Sequence, residues 1–305
     1  MSFVSVIIPA RNAARTLGET IEALERQTLP RQSYEVIVVD DRSTDETGAL
    51  ARASGLVRLV EMPRRGGSYA ARNLGLQHAR GGVIAFTDAD CHPMDDWLEH
   101  GVSDLDQHAA DLLGGYIDLP LRPNPNVTEL LDVCRYLDQA RFVEMGFAAT
   151  ANLFVRRAVF DRVGPFDGDL VSNGDREFCL RATAHGFKLA FSPRPVVVHP
   201  PRTRVRLAVG KSFRLGIGRG QTDYNKGAGG LERGKRSPRN LAGSSLGLAR
   251  KLSSLVASPE VFGIQRVRSQ GYEPSRSQLL RIQLAAYLMV DLPGMVGYLV
   301  GRIRR

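Results

Sequence analysis

Asp88 and Asp90 stand directly after the apolar run Val83-Ile84-Ala85-Phe86. A buried strand that ends in Thr-Asp-Ala-Asp delivers two carboxylates to one edge of a sheet. Residues two apart in an extended chain share a face, so the two acids can converge on one site. Like charges held together are unfavourable unless something positive binds between them. Hard divalent cations take oxygen ligands, and Mg²⁺ in particular is held by one or two carboxylates plus substrate phosphates. The pair therefore points to a metal–diphosphate site. A solvated, Asp-rich loop after a strand has the same composition. The two readings separate only in the context of the other elements.

Those elements alternate through the first half. Val4–Ile8 is a β-branched run stopped by Pro9. Leu17, Ile21 and Leu24 fall at helical spacing within 16–27. Val36-Ile37-Val38-Val39 predicts a buried strand over 35–40, and a helix follows from Thr44, with Ser43 as N-cap and Glu46 three residues on. A third strand is predicted at 56–61, a helix at 68–80, and the Gly81-Gly82 break precedes the strand 83–87. Alternation of this kind predicts a mostly parallel sheet with helices on both faces. Ligands in such sheets bind beyond the carboxyl ends of the strands. Pro9, Asp40-Asp41 and Asp88 all lie at such ends. The second half is less regular: helices are predicted at 95–108, 127–142, 157–163 and 175–185, and strands at 148–155 and 196–198.

The 305-residue chain is 43% hydrophobic, enough to bury a full core, and its charge is uneven. Residues 1–202 carry 22 Lys+Arg and 27 Asp+Glu, a balance of −5; residues 203–305 carry 19 and 5, a balance of +14. A basic segment suits nucleic acid, an anionic membrane surface or phosphorylated substrates, and it also serves plain solubility. The three cysteines, Cys91, Cys134 and Cys179, lack metal-ligand spacing and are odd in number, which argues against a disulfide framework. The N-terminus reads as a first strand, so no secretion signal is expected. The expected domains are 1–204 and a basic helical extension, 205–305. The extension has a Gly/Ser/Arg/Lys-rich linker at 226–247 and apolar helices within 277–303. Asp291 and Pro293 split the last apolar run into two short helices, which pack on the domain or lie in a membrane interface. A full span wants ~20 apolar residues with few charges.

Four blocks now line up: Val6-Ile7-Ile8-Pro9-Ala10-Arg11-Asn12, Val38-Val39-Asp40-Asp41-Arg42-Ser43-Thr44-Asp45, Ala71-Arg72-Asn73-Leu74-Gly75 and Phe86-Thr87-Asp88-Ala89-Asp90. Their order and spacing resemble the family 2 glycosyltransferases, which have a GT-A fold. The resemblance covers about residues 3–200. It implies that Pro9, at the end of the first strand, and Asp41 hold the base and ribose of a nucleotide sugar. A carboxylate can accept from a base N–H or a ribose hydroxyl, and it can also cap the following helix. Arg11 stands where the family commonly has Tyr or Phe, and a planar guanidinium can stack on a base. Arg72 could face phosphate or be an ordinary surface arginine.

By the same resemblance, Asp90 binds Mg²⁺ or Mn²⁺ and Asp88 contacts ribose or a metal-bound water. The metal stabilises charge on the departing nucleoside diphosphate. The family often shows Glu-Asp at the start of a later helix. Here the run is Asn173-Gly174-Asp175-Arg176-Glu177-Phe178. Asp175 matches the catalytic base that deprotonates the acceptor hydroxyl, and Gly174 replaces the Glu. A helix N-cap is the plain alternative for Asp175. His199, after Val196-Val197-Val198, matches an additional metal ligand, and Asn152 matches a block beside the acceptor cleft. Trp97 is expected in the core.

The implied function is metal-dependent, inverting transfer of a sugar from a nucleotide-diphosphate sugar to a hydroxyl acceptor, either a glycan or a lipid-linked molecule. Synthesis of a cell-surface polysaccharide or glycolipid is the expected setting. A cytoplasmic location, peripheral on the inner face of the cell membrane, goes with it. Gly174 and the +14 tail motivate an alternative: an inactive GT-A domain that binds nucleotide or nucleic acid. The tail's aromatics do not interleave with its arginines, which disfavours nucleic acid. A dehydrogenase is excluded, because the first strand leads into Pro-Ala-Arg-Asn-Ala-Ala with no G-x-G-x-x-G.

Overall fold

A computed structural model of the chain describes residues 2–228 and 263–303. It divides into two compact units: Met1–Pro120 with Leu137–Pro200, and Leu121–Tyr136 with Pro201–Arg305.

The first unit begins with β1 (Val4–Ala10), α1 (Leu17–Glu25), β2 (Tyr34–Asp40), α2 (Thr47–Ala53), β3 (Val57–Glu61), α3 (Ser68–His78) and β4 (Val83–Phe86). β2 and β4 are buried along their whole length, and β1 everywhere but at half-buried Pro9. Strands buried along their length in this way belong to a parallel sheet covered on both faces. α1 turns Leu17, Thr20, Ile21, Ala23 and Leu24 inward, the face that its spacing predicts. β1 lies parallel between β2 and β4, with Ala10 opposite Asp40 and Ile7 opposite Phe86. The carboxyl ends of the three strands therefore line one edge. The first strand runs on through Pro9 to Ala10 rather than stopping there.

The unit continues with β5 (His92–Pro93), α4 (Trp97–Gln107), β6 (Leu112–Asp118), α6 (Gln139–Glu144), β7 (Leu153–Arg156), α7 (Arg157–Val163), α8 (Gly174–Ala184) and β8 (Leu189–Val198); α5 (Val127–Arg135) belongs to the second unit. The eight strands form one sheet in the order β3-β2-β1-β4-β7-β6-β8-β5. β7 runs antiparallel to both β4 and β6, while β6 and β8 are parallel. The result is the expected mixed, mostly parallel α/β sheet of the GT-A type.

β6 is a strand that the sequence reading passes over, because Gly114-Gly115 looks like a break. The glycines are needed for packing instead. A Cβ on Gly115 would lie 2.5 Å from the Asn152 side chain and the Pro195 carbonyl. The helix expected over 127–142 is two helices. Leu137 adopts φ 55°, and the Asp138 carboxylate caps α6 by accepting from Arg141 N–H. The strand expected from Ala148 is a 3₁₀ turn at Thr150–Asn152 followed by β7, and the late strand starts at Leu189 rather than 196.

The second unit contains α5, α9 (Val205–Ala228), α10 (Ile264–Arg268), α11 (Arg276–Ala286), a π-helical turn (Tyr287–Asp291) and α12 (Leu292–Ile303). The expected break at Asp291–Pro293 does not occur. The π turn absorbs the proline, and the helical run is continuous from Arg276 to Ile303. α12 and α9 approach backbone to backbone: a Cβ on Gly297 or Gly301 would collide with the carbonyls of Phe213 and Ile217. Of the linker expected at 226–247, residues 226–228 close α9, and 229–247 lie outside the described residues.

Candidate active site

The loops after β1 and β2 are knitted together. Asn12 N–H donates to Ser43 Oγ at 2.9 Å, Thr44 N–H donates to Asn12 Oδ1 at 2.9 Å, and Ala13 N–H donates to Thr47 Oγ1 at 2.7 Å. Asn12 and Arg42 both take left-handed backbone, φ 49° and 58°, a conformation Asn tolerates better than most residues. Half-buried Pro9 precedes this loop and Arg11 projects from it, exposed. Ser43 is not the cap of α2. Its hydroxyl donates to Asp40, and Asp45 accepts from Thr47 N–H at 3.1 Å where the helix begins.

Asp41 is buried, and it does not cap α2 either. Its two carboxylate oxygens accept from Gly66 N–H at 2.7 Å and Gly67 N–H at 3.0 Å. This fixes the turn that launches α3. Gly67 needs its φ of 85°, and a Cβ on Gly66 would lie 2.7 Å from the Met62 side chain.

α3 carries Tyr69 and Arg72 one turn apart on one face. Arg72 is buried, so the surface-arginine reading fails. Its guanidinium donates to Asp88 Oδ1 at 2.5 Å and stands over the Tyr69 ring, 5.4 Å from its centroid. Among the described residues its Nε has no hydrogen-bond partner although it is buried. A buried, unpaired donor is costly, and here it sits beside the carboxylate pair. That suits an anion such as a phosphate.

Asp88 and Asp90 follow β4, both part-exposed. Asp90 Oδ1 lies 3.9 Å from His199 Nε2. His199 is buried just past β8, and its backbone N–H donates to the carbonyl of Asp118, the last residue of β6, at 2.8 Å. Its Nδ1 lies 2.9 Å from the Pro200 carbonyl, which can only accept, so Nδ1 carries a proton and Nε2 is turned to Asp90. Ligand atoms of Asp90, Cys91 and His199 all fall within 4.8 Å of one another. Burial, then the charges of Asp88 and Asp90, push the Cys91 thiol well above its ordinary range. Sulfur is a soft donor and a poor ligand for a hard divalent cation. The usable donors are one carboxylate and one imidazole, and these fit a divalent cation of the Mn²⁺ or Mg²⁺ type.

Asp175 lies in the first turn of α8, after Asn173 in left-handed backbone. Its Oδ1 accepts from Tyr69 Oη at 3.2 Å and from Arg176 N–H at 2.8 Å. Desolvation raises its pKa, opposed by backbone hydrogen bonds from Arg176 and Thr150, the Arg72 charge and the Tyr69 phenol. A carboxylate held in this way is more basic than one in water. Asp175 is not the N-cap of α8; that position belongs to Asn173.

Asn152 takes no part in this edge. It is fully buried, its Oδ1 accepts from Trp97 Nε1 at 2.9 Å, and its amide nitrogen donates to the carbonyls of Tyr116 (2.8 Å) and Pro195 (2.9 Å). It ties α4, β6 and β8 together and offers nothing to an acceptor. Trp97 is in the core as expected. Tyr69 was missed from the sequence. The signal available was its place one helical turn before Arg72.

The chain resembles known proteins over much of its length. Residues 5–164 match the model of glycosyl transferase family 2. Glycosyltransferase AglE of Haloferax volcanii is 38% identical over 224 residues, 72% of this chain and 73% of that protein. The amylovoran biosynthesis glycosyltransferase AmsB of Erwinia amylovora is 28% identical over 221 residues, 66% of this chain and 70% of that protein. Among solved structures, the mannosyltransferase PcManGT from Pyrobaculum calidifontis, in complex with GDP-Man and Mn²⁺, shares the fold with a TM-score of 0.61 at 21% identity. The match covers 99% of this chain and 87% of that one. The chain belongs to glycosyl transferase family 2 and is a nucleotide-sugar glycosyltransferase of GT-A fold.

Proposed function

We propose that the chain catalyses metal-dependent, inverting transfer of a sugar from a nucleotide-diphosphate sugar to a hydroxyl acceptor, in cell-surface polysaccharide or glycolipid synthesis. One observation carries the reading. Asp88 and Asp175 are held by two residues of a single helical turn, beside the Asp90–His199 pair. A diphosphate site and a base site therefore share one edge. The relatives support the setting: one is a glycosyltransferase of amylovoran biosynthesis, and PcManGT holds GDP-Man with Mn²⁺.

Asp90 and His199 would hold Mg²⁺ or Mn²⁺, which when bound offsets the charge of a leaving diphosphate. Arg72, with its unpaired Nε, adds a fixed positive charge against the same phosphates. Asp41, Pro9 and Arg11 frame the nucleoside at the ends of β1 and β2. Asp175 takes the proton of the acceptor hydroxyl. Inversion at the anomeric centre is taken from the family, since one base and direct displacement need no enzyme nucleophile. Gly174 has a packing reason of its own, because the Tyr69 ring fills the space a side chain would take there.

The extension gives the localisation proposal. Its +14 balance suits an anionic surface, the inner face of the cell membrane. One helix among the described residues, Arg276–Gly301, is long and apolar enough to cross a membrane by length and composition. Leu280, Leu284, Leu288, Leu292, Met295 and Leu299 are exposed along it, and such a row suits burial in an interface.

The test is metal-dependent release of nucleoside diphosphate from a panel of GDP-mannose, UDP-GlcNAc and dTDP-sugars, with and without Mn²⁺. Release that is metal-dependent and donor-selective is expected. Nucleotide binding with no turnover under any acceptor mixture would favour the inactive-domain reading instead.

A further inference from the structure

We propose that Tyr69 is a positioning residue for the base: its phenol orients the Asp175 carboxylate at the start of α8, and Gly174 is the residue that lets the ring reach it. The proposal rests on the reading of Asp175 as the base.

Tyr69 is buried, and its Oη donates to Asp175 Oδ1 at 3.2 Å. Burial pushes the Tyr69 phenol pKa up, and the backbone N–H groups of Gly174 and Asp175 act against that. These belong to the first turn of an eleven-residue helix, where N–H groups lack intrahelical partners. The hydroxyl thus stands at the helix start and donates to the carboxylate that projects from it. The ring packs on Gly174 itself. A Cβ there would sit 2.8 Å from Cδ2 and Cε2 of the ring, closer than real Cβ atoms approach. Tyrosine at 69 and glycine at 174 are a matched pair, and any larger residue at 174 would push the phenol off Asp175.

The ring cannot retreat easily. Phe166 lies against it with centroids 5.7 Å apart, and the Arg72 guanidinium stands over it. Because Arg72 grips Asp88, one face of α3 sets both the diphosphate side and the base side of the site. A general base works only within hydrogen-bond reach of the proton it takes. A carboxylate on a rotatable bond at a helix start needs an outside group to fix its plane, and Tyr69 supplies it.

The first arm of the test is substrate-free. The groups facing Asp175 are Tyr69 and Arg72 from α3, the backbone of Thr150 and Arg176, and Cys179 one turn along α8. With aspartate side-chain carboxyls labelled with ¹³C, the resonance missing from Asp175→Asn is that of Asp175. In full-length Tyr69→Phe, which keeps the ring and its packing, the midpoint of that resonance should move to higher pH, since a hydrogen bond to the charged form is gone. Gly174→Ala should move it the same way by displacing the ring. With any donor that turns over, kcat of Tyr69→Phe should fall roughly five- to tenfold at unchanged donor KM. Unshifted midpoints in both variants overturn the proposal and leave the base reading standing. A loss confined to donor KM also overturns it. Undiminished turnover of GDP-mannose or UDP-GlcNAc by Asp175→Asn, from a wild type that turns them over, removes the base reading itself and the proposal with it.

Discussion

The Arg72 guanidinium meets the Asp88 carboxylate at 2.5 Å, with the arginine side chain 4% exposed and the aspartate 34%. The pair is lopsided. The cation is sealed in protein while the anion opens to solvent. A sealed cation with an unpaired Nε keeps part of its field for a ligand. This distinguishes Arg72 from the exposed arginines elsewhere on the first unit, whose pairs contribute little.

The first prediction concerns that asymmetry. Arg72→Gln should weaken binding of the nucleoside diphosphate more than it weakens the fold. A hydrogen bond to a charged group is worth roughly 1.5–3 kcal/mol, so Kd should rise about tenfold or more. Arg72→Lys should not restore it, because an ammonium lacks the planar fork. Calorimetric titration with GDP and UDP checks this. Unchanged Kd in both variants would remove Arg72 from the phosphate site.

Asp90→Asn should abolish metal-dependent turnover while the protein stays folded, since a neutral amide is a poorer ligand for a hard cation. His199→Ala should weaken metal binding less, because the carboxylate remains. Mn²⁺ affinity can be followed by water-proton relaxation without any donor. Wild-type Mn²⁺ affinity and turnover in Asp90→Asn would falsify the assignment.

Asp175 carries a prediction with two signs. Asp175→Asn should lower kcat by roughly 10²-fold or more and leave donor affinity nearly unchanged. It should also raise thermal stability. The folded pKa of Asp175 lies above its ordinary 3.8, chiefly through desolvation. The folded state then holds the proton more tightly than the unfolded chain. Stability is therefore lost as pH rises from 3.8 through the folded value, and the loss is complete above it. The neutral amide carries no such penalty. The Tm difference between variant and wild type should be positive at neutral pH and shrink on acidification. A variant less stable than wild type at neutral pH would contradict the raised value.

How much of this was legible beforehand differs between the two halves. The ends of β1, β2 and β4 could be read because each holds a short apolar run followed by polar residues, and parallel strands align such ends. The carboxylate pair followed from that. What could not be read were the partners. Asp41 meets Gly66-Gly67 across 25 residues, and Tyr69 meets Asp175 across 106. No local pattern encodes contacts of that span. Asn152 was expected beside the acceptor cleft from the resemblance alone, and here three partners satisfy it inside the core. β6 was hidden because glycine breaks a pattern whether it marks a turn or makes room for a neighbour.

The last prediction concerns the extension. Each basic residue near an anionic surface is worth about 1 kcal/mol, so a fraction of the 19 in residues 203–305 suffices for attachment. Leu284, Leu288 and Leu292 sit exposed at successive turns of the long helix, spanning the π turn. If they enter the interface, binding to anionic vesicles should survive high salt, and replacing the three with serine in the full-length chain should make binding salt-sensitive. If charge alone acts, wild-type binding should already collapse at high salt, because screening shortens the range of the attraction. Sedimentation with anionic and neutral vesicles at low and high salt separates the two. A full-length chain that stays in the supernatant with both vesicle types at low salt would sink the membrane proposal, leaving the charges as a solvated surface and the leucines as exposed apolar residues.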